Sequence, residues 1–451
     1  MTQPITLPLW LLLLILAFAA TSFASNFLFP SVRWFFRRRI EAGIARLNQR
    51  LARPIDVLKL AKRQDRIARL AYDPVVLQAV TEQAAETGTP PQVVFQEARA
   101  YAREIVPGFS ATLYFGVSIR VARWLTKKLY RVRFGRVEEV LARIDPQATV
   151  VFVMNHRSNM DYVLLTWLVS GQASISYAVG EWARVWPFSR FIRAMGAYFI
   201  RRGNSRALYR KVLARYVQMA TEEGNTQAIF PEGGLSLDGR LARPRLGLVT
   251  WLMQAETPRD VVFVPVGLSY DRVLEDQILT EAATSGSRRF RVGPLRALSY
   301  MLIGVRRLIF PGVWSLGTAA AAFGRPVSLR AFRQGVDPSP QALGARLMAE
   351  IAQAIPVLPV PLVAACLPAP DRAALVAACS ARLATLEAQG REIRLAPQGM
   401  EATVTEALAI LQSRGLIRGL TPVPEKSAVL AYYAASLQQD HETVILGEKA
   451  D

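Results

Sequence analysis

A chain of 451 residues with 55 Lys and Arg against 35 Asp and Glu carries a formal charge of +20, while 51% of its residues are hydrophobic. That length supports two or three compact units with sizeable cores, and the charge favours anionic partners: nucleic acid, an anionic bilayer, or phosphorylated and carrier-bound substrates. Two cysteines, Cys366 and Cys379, without CxxC spacing or nearby histidines argue against a disulfide framework or a metal site, and read as core thiols in a reducing compartment.

No charged residue occurs from Ile5 to Phe29. As a helix this run extends roughly 37 Å, longer than a hydrocarbon core of about 30 Å. A cleaved signal peptide is the competing reading, because Ala24-Ser25-Asn26 ends the run in small residues. Against cleavage, no Lys or Arg precedes the run, whereas Arg33, Arg37, Arg38 and Arg39 follow it with Trp34, Phe35 and Phe36 interleaved. The positive-inside tendency then predicts a single N-terminal membrane helix, with the bulk of the chain on the cytoplasmic face of an inner membrane or its equivalent. Residues 1–40 are assigned to this anchor and its basic flank.

Residues 41–146 read as largely helical, broken at Asp73-Pro74 and Gly88-Thr89-Pro90-Pro91. Within them, Leu113 to Arg136 alternates apolar and aromatic residues with Arg120, Arg123, Lys127, Lys128, Arg131, Arg133 and Arg136. Such a segment suits a bilayer surface; an ordinary solvated helix face is the alternative.

Residues 147–335 carry a strand-then-helix rhythm. Strands are expected at 149–154, 175–179, 197–201, 226–230 and 261–266, and helices near 161–170, 205–222 and 245–255. The fold class is therefore α/β, with a mixed, mainly parallel sheet flanked by helices. Val261 to Val266 is apolar on both faces, as in a sheet covered on both sides, and Pro265 predicts a strand end or edge. The hydrophobic stretch 298–324, interrupted by Arg306 and Arg307, is expected as an interfacial or buried helix. Proline-rich 336–370 reads as a linker, and 371–451 as a helical C-terminal region.

Asn155-His156-Arg157-Ser158-Asn159-Met160-Asp161 lies between the expected strand at 149–154 and the helix that follows. A strand-to-helix turn of this kind aims side chains at the cleft outside the strand ends. A neutral imidazole there can take a proton from a hydroxyl, with Asp161 holding its tautomer and stabilising the imidazolium. The alternative is that His156 caps the turn and Asp161 offsets the helix dipole. The chain has two histidines, and the other, His441, lies in the polar tail. Three more segments are placed alike. Gly196 to Arg202 ends a strand in Arg201 and Arg202, Phe230-Pro231-Glu232-Gly233-Gly234 precedes Ser236, Asp238, Gly239 and Arg240, and Val264 to Ser269 closes another strand. Glycines permit close backbone approach, and arginines supply forked donors for phosphate.

In this order the blocks resemble the membrane-bound glycerol-3-phosphate acyltransferase family, within the larger group of glycerolipid acyltransferases. His156 and Asp161 match the H-x4-D block, Gly196 to Arg202 the second, Phe230 to Arg240 the third, and Val264-Pro265-Val266 the fourth. Pro244-Arg245-Leu246-Gly247, Phe323-Gly324-Arg325-Pro326-Val327 and Leu430-Ala431-Tyr432-Tyr433-Ala434 look like further elements of the family. The resemblance implies O-acylation of glycerol 3-phosphate by an acyl-CoA or acyl carrier protein thioester, beside anionic membrane lipids, with no nucleic acid, metal or cofactor. It implies His156 as the base, Asp161 as its orienting partner, Arg201 and Arg202 facing the acceptor phosphate, and Glu232 and Gly233 shaping its pocket. No serine nucleophile is needed, and Gly234-Leu235-Ser236-Leu237-Asp238 lacks the second glycine of G-x-S-x-G.

One departure stands out. Where the third block usually reads Glu-Gly-x-Arg-Ser-Arg, this chain has Glu232-Gly233-Gly234-Leu235-Ser236-Leu237. Phosphate recognition then falls to Arg201, Arg202, Arg240 and Arg245, and Leu235 and Leu237 would suit an acyl chain. Acylation of lysophosphatidate or another lipid hydroxyl is accordingly the alternative activity. A non-enzymatic basic protein binding membranes or nucleic acid would leave His156, and Glu232 beside its glycines, without a role.

Overall fold

The computed structural model describes residues 8–23, 49, 51, 53, 63–135, 137–170, 172–180, 192–201, 206–285 and 316–438. The chain divides into a unit of residues 1–54 and a unit of residues 55–451. In the first, Leu9–Phe23 is a helix of 15 residues, with Leu9, Trp10 and Leu12 through Leu16 exposed. Among the described residues, no helix is long and apolar enough to cross a membrane. Residues 24–48, which hold the end of the apolar run and the arginine cluster, lie outside the described residues.

The second unit is built on a sheet whose strands are β1 (Arg131–Phe134), β2 (Thr149–Met154), β3 (Ser176–Val179), β4 (Ala197–Phe199), β5 (Gln227–Ile229), β6 (Val261–Tyr270), β7 (Thr318–Phe323) and β8 (Val327–Ser328). They lie in the order β1-β7-β6-β2-β5-β3-β4, with β8 also on β6. Strands β4, β3, β5, β2 and β6 are mutually parallel; β7 and β8 run antiparallel to β6. All five parallel strands therefore end at one edge of the sheet.

The run Thr-Val-Val-Phe-Val-Met of β2 has no polar face because both of its faces are covered. Val150, Phe152 and Met154 belong to one buried cluster, shared with the helices Met160–Leu168, Pro359–Ala364 and Met400–Ser413. Val151 and Val153 belong to the other, shared with the helices Pro91–Ile105, Ala207–Glu222, Leu246–Met253 and Pro340–Ala354. Alternate residues of one strand thus reach opposite layers. The helix breaks lie where the turn residues put them. Asp73 accepts from Val75 N at 3.0 Å and caps Pro74–Thr87, which Gly88 ends at φ 64°.

Three expectations are corrected. Pro265 lies inside β6, paired with Val153 of β2, not at a strand end or edge. Its missing N–H is tolerated because the other side of β6 has a gap there: β7 pairs with Val266 through Tyr270, and β8 with Val262 and Phe263. Of the stretch 298–324 expected as a helix, residues 318–323 are strand β7, and 286–315 lie outside the described residues. The proline-rich stretch read as linker is core. Ile355 through Ala364 are buried, and Pro359–Ala364 is a short helix held where Val360 N donates to Asp271 Oδ1 at 2.9 Å. Cys379 is buried and Cys366 partly so, both as free thiols.

Candidate active site

At the end of β2 the ladder is continued by a side chain. Asn155 Nδ2 donates to Leu268 O at 2.9 Å, and Leu268 N donates to Asn155 Oδ1 at 2.7 Å. This amide pair ties the turn to β6 and fixes the backbone that carries His156. The His156 ring is 2% exposed, stacked on Phe230 at a centroid distance of 4.1 Å and edge-on to Tyr162 at 5.5 Å. Its backbone is clamped as well: His156 N donates to Glu232 Oε1 at 2.9 Å, and Ser236 N donates to His156 O at 2.9 Å.

Asp161 lies fully buried one turn further on, and donors converge on both of its oxygens. Oδ2 accepts from Arg157 N at 2.7 Å and Ser158 N at 3.0 Å and lies 2.9 Å from His156 Nδ1, while Oδ1 accepts from Tyr270 Oη at 2.6 Å. A carboxylate oxygen that accepts from two backbone amides requires the proton on Nδ1. The lone pair is then on Nε2, which makes no hydrogen bond among the described residues. That is the tautomer a general base needs.

Two further carboxylates hold the surrounding loops. Glu275 accepts from Ser158 Oγ at 2.8 Å, Asn159 Nδ2 at 3.0 Å and Asn159 N at 3.2 Å; burial pushes its carboxyl up, and these donors oppose the shift. Glu232 bridges His156 N and Ala242 N, the latter at 3.0 Å; burial raises its carboxyl too, and Arg157 pulls it back. The buried Arg157 donates to Ser236 Oγ at 3.4 Å and to Gly239 O. Gly239, at φ 83°, passes so close to the C-terminal Tyr432 that a Cβ there would lie 1.8 Å from its carbonyl oxygen. Tyr433 donates to the buried Asp276 and accepts from Val273 N at 2.9 Å, beside an Arg414–Asp276 ion pair of 2.6 Å. The C-terminal Tyr-Tyr pair thus braces the loops that carry Arg157's partner and Glu275.

Beside the histidine, beyond the ends of β3, β4 and β5, lies a cavity of about 240 Å³. Tyr162 and Phe230, which flank His156, form part of its wall together with Val179 and Trp251. Its cations are Arg201 and Arg245. Gly233, at φ 68°, is required here, since a Cβ would lie 2.4 Å from Arg245 Cδ. Arg201 is held rather than loose. Its Nε and Nη2 donate to Glu104 Oε1 and Oε2 at 2.8 and 2.5 Å, and its guanidinium lies 5.7 Å from the Tyr101 and Tyr209 rings. The hydrogen-bonded pair with Glu104 keeps this guanidinium well above its ordinary range. Among the described residues, no group of three or more His, Cys, Asp or Glu is placed to hold a metal ion.

His156, Asp161, Glu232, Gly233, Arg201 and Arg245 therefore gather at one sheet edge. Arg240 does not join them: it is exposed, with its backbone N held by Asp238 Oδ1 at 2.9 Å, and it does not line the cavity. Arg202 lies outside the described residues. Leu235 and Leu237 are half-buried against the cluster that contains Tyr162 and Phe230 and do not line the cavity. Sequence reasoning missed Tyr270, Glu275 and Glu104. The first two follow the fourth block within a few residues, but no local pattern shows that they reach back 109 and 117 residues to the histidine turn.

Residues 132–269 match the acyltransferase family model. The chain is similar to the glycerol-3-phosphate acyltransferase of Pseudomonas putida strain W619, 29% identical over 299 residues, covering 63% of this chain and 34% of that one. It is also similar to the glycerol-3-phosphate acyltransferase of Aeromonas hydrophila, 31% identical over 294 residues, covering 62% and 34%, and to that of Shewanella pealeana, 28% identical over 310 residues, covering 66% and 37%. The matched region spans about a third of the length of these curated relatives. Among solved structures, the 1-acyl-sn-glycerophosphate acyltransferase PlsC of Thermotoga maritima aligns at 16% identity and a TM-score of 0.33, covering 64% of this chain and 94% of that one.

Proposed function

We propose that the chain, whose residues 132–269 match the acyltransferase family model and which is similar to curated glycerol-3-phosphate acyltransferases, transfers a fatty acyl group from a thioester, acyl-CoA or acyl carrier protein, to the sn-1 hydroxyl of glycerol 3-phosphate. This would be the first step of phospholipid synthesis. The observation that carries the reading is the buried His156–Asp161 pair, 2.9 Å apart, packed behind Tyr162 and Phe230, which form part of the wall of a cavity that presents Arg201 and Arg245. His156 Nε2 takes the proton of the acceptor hydroxyl as its oxygen attacks the thioester carbonyl carbon. The C–S bond breaks, and the imidazolium returns the proton to the departing thiolate. Asp161 keeps the ring in the Nδ1–H tautomer and stabilises the cation that forms.

Arg201 and Arg245, which line the cavity, bind the acceptor phosphate, with Arg202 as a further donor; Arg240, outside the cavity wall, takes no part. With Nε and Nη2 of Arg201 taken by Glu104, its Nη1 is the nitrogen left for phosphate. Glu232 and Gly233 shape the pocket, one by clamping the histidine backbone and the other by letting Arg245 pass.

The same reading puts the enzyme at the cytoplasmic face of an inner membrane, anchored by its N-terminal apolar run. Supporting it are the charge-free stretch Ile5 to Phe29, the exposed leucines of helix Leu9–Phe23, and the arginines that follow.

Leu235 and Leu237, standing where the family usually has arginines, favour lysophosphatidate as the second reading. The test is to supply purified membranes with labelled glycerol 3-phosphate and lysophosphatidate side by side. Glycerol 3-phosphate is expected to be acylated at the higher kcat/KM; preference for lysophosphatidate would replace the first reading with the second.

A further inference from the structure

On helix Pro91–Ile105, Glu97, Tyr101 and Glu104 follow one another at intervals of four and three residues, and so share one face. That face meets two arginines, Arg201 beyond the end of β4 and Arg206 at the start of the helix Ala207–Glu222. The two contacts differ in kind. Arg206 Nη1 donates to Glu97 Oε1 at 2.7 Å and to Tyr101 Oη at 3.1 Å. Its side chain is 67% exposed and that of Glu97 31%, so water and salt screen the pair. Arg201 and Glu104 are 35% and 15% exposed, and both carboxylate oxygens grip one edge of the guanidinium.

The surroundings hold Arg201 further. Its backbone N donates to Tyr209 Oη at 3.0 Å, and that hydroxyl donates to Phe199 O at 3.3 Å. The Tyr101 and Tyr209 rings pack edge to face at 5.2 Å, beside the guanidinium. A guanidinium has five N–H donors in a rigid fork. Glu104 takes two of them, on Nε and Nη2, and leaves those of Nη1 in a residue that lines the cavity. A salt bridge that merely joined the helix to the sheet would not need its guanidinium in a cavity wall. An arginine left loose loses its rotamer freedom when the ligand arrives, which weakens binding. One held beforehand has lost that freedom on folding.

We propose that Glu104 is a positioning residue of the acceptor site, holding Arg201 in the orientation that meets the phosphate before the acceptor binds. The inference rests on the reading that Arg201 binds that phosphate. Glu104 brings negative charge near an anion's site, but it grips the edge of the guanidinium opposite Nη1. Orientation rather than repulsion therefore sets its effect.

The test compares Glu104→Gln with the wild type in purified full-length protein, each alone and with Arg201→Gln. One readout is the KM of glycerol 3-phosphate and of the acyl donor during acylation. The other is the Kd of labelled glycerol 3-phosphate by equilibrium dialysis without donor, which needs no turnover. Glu104→Gln is expected to raise acceptor KM and Kd roughly tenfold to thirtyfold, the freedom one arginine regains, with kcat and donor KM within about twofold. Combined with Arg201→Gln the same change should have no further effect, because Glu104 acts through that guanidinium. Glu97→Gln, which breaks the exposed pair on the same helix face, should leave both values near those of the wild type. An unchanged Kd in Glu104→Gln, or an equal rise with and without Arg201, would overturn the proposal and leave Glu104 as a brace between helix and sheet. A tighter Kd would overturn it in favour of repulsion. Should lysophosphatidate prove the preferred acceptor, the acceptor reading alone falls, and the Kd shift measured on that phosphate ester still decides the role of Glu104.

Discussion

At the scale of single residues, Tyr270 is the side chain whose role is least apparent from its place in the sequence. Its hydroxyl donates to Asp161 Oδ1 at 2.6 Å, and burial and the neighbouring carboxylate hold the phenol well above its usual range, so it remains a donor at any assay pH. Tyr270→Phe removes one of the donors that fix Asp161 and leaves more negative charge facing His156. A hydrogen bond to a charged group contributes about 1.5–3 kcal/mol, so kcat should fall roughly tenfold to a hundredfold while the acceptor KM changes little. A loss of folded protein with kcat per folded molecule unchanged would mean that Tyr270 only fills space. His156 and Asp161 themselves were legible, since a histidine and a carboxylate five residues apart at a strand end suggest a base and its partner. Tyr270 was not, because it answers Asp161 only after β2 and β6 have paired.

At the scale of elements, β-branched runs marked β2 and β6, and Asp73-Pro74 and Gly88 marked helix ends, since each is a local preference of the backbone. Strand β7, Thr-Ala-Ala-Ala-Ala-Phe, had no such signal. Its alanines are poor strand formers, and their place comes from the tight fit between β1 and β6. The prolines of 355–364 misled in the opposite direction, punctuating a segment that is buried core. Asp271 secures that segment: it accepts from Val360 N at 2.9 Å and from Thr318 N at 2.7 Å, and burial pushes its carboxyl up to about 6. An acid raised above its unfolded value binds more protons in the folded chain. Its contribution to stability is therefore full below about pH 4 and is lost as the pH rises toward 6. Comparing the unfolding free energy of the wild type with that of Asp271→Asn across this range should show the wild type losing up to about 3 kcal/mol relative to the variant. A pH-independent difference would contradict a charged, buried Asp271.

At the scale of the molecule, the order of the motifs along the chain allowed an acyltransferase core to be read before any strand was paired. What could not be read is how distant segments meet. The order β1-β7-β6-β2-β5-β3-β4 brings Arg201, Glu232 and His156 to one edge and leaves Arg240 outside the cavity wall, although it follows Glu232 by eight residues. Glu104, from the helical region, reaches Arg201 only because helix Pro91–Ile105 covers the sheet beside β4. The account stands on His156 acting as a base within this assembly, and the most direct measurement is the acylation of glycerol 3-phosphate by purified full-length His156→Ala beside the wild type. A positioned base contributes about 10²–10⁴ in rate, so kcat/KM should fall by that factor while the unfolding transition of the variant stays close to that of the wild type. A correctly folded His156→Ala enzyme turning over at near the wild-type rate would contradict the account.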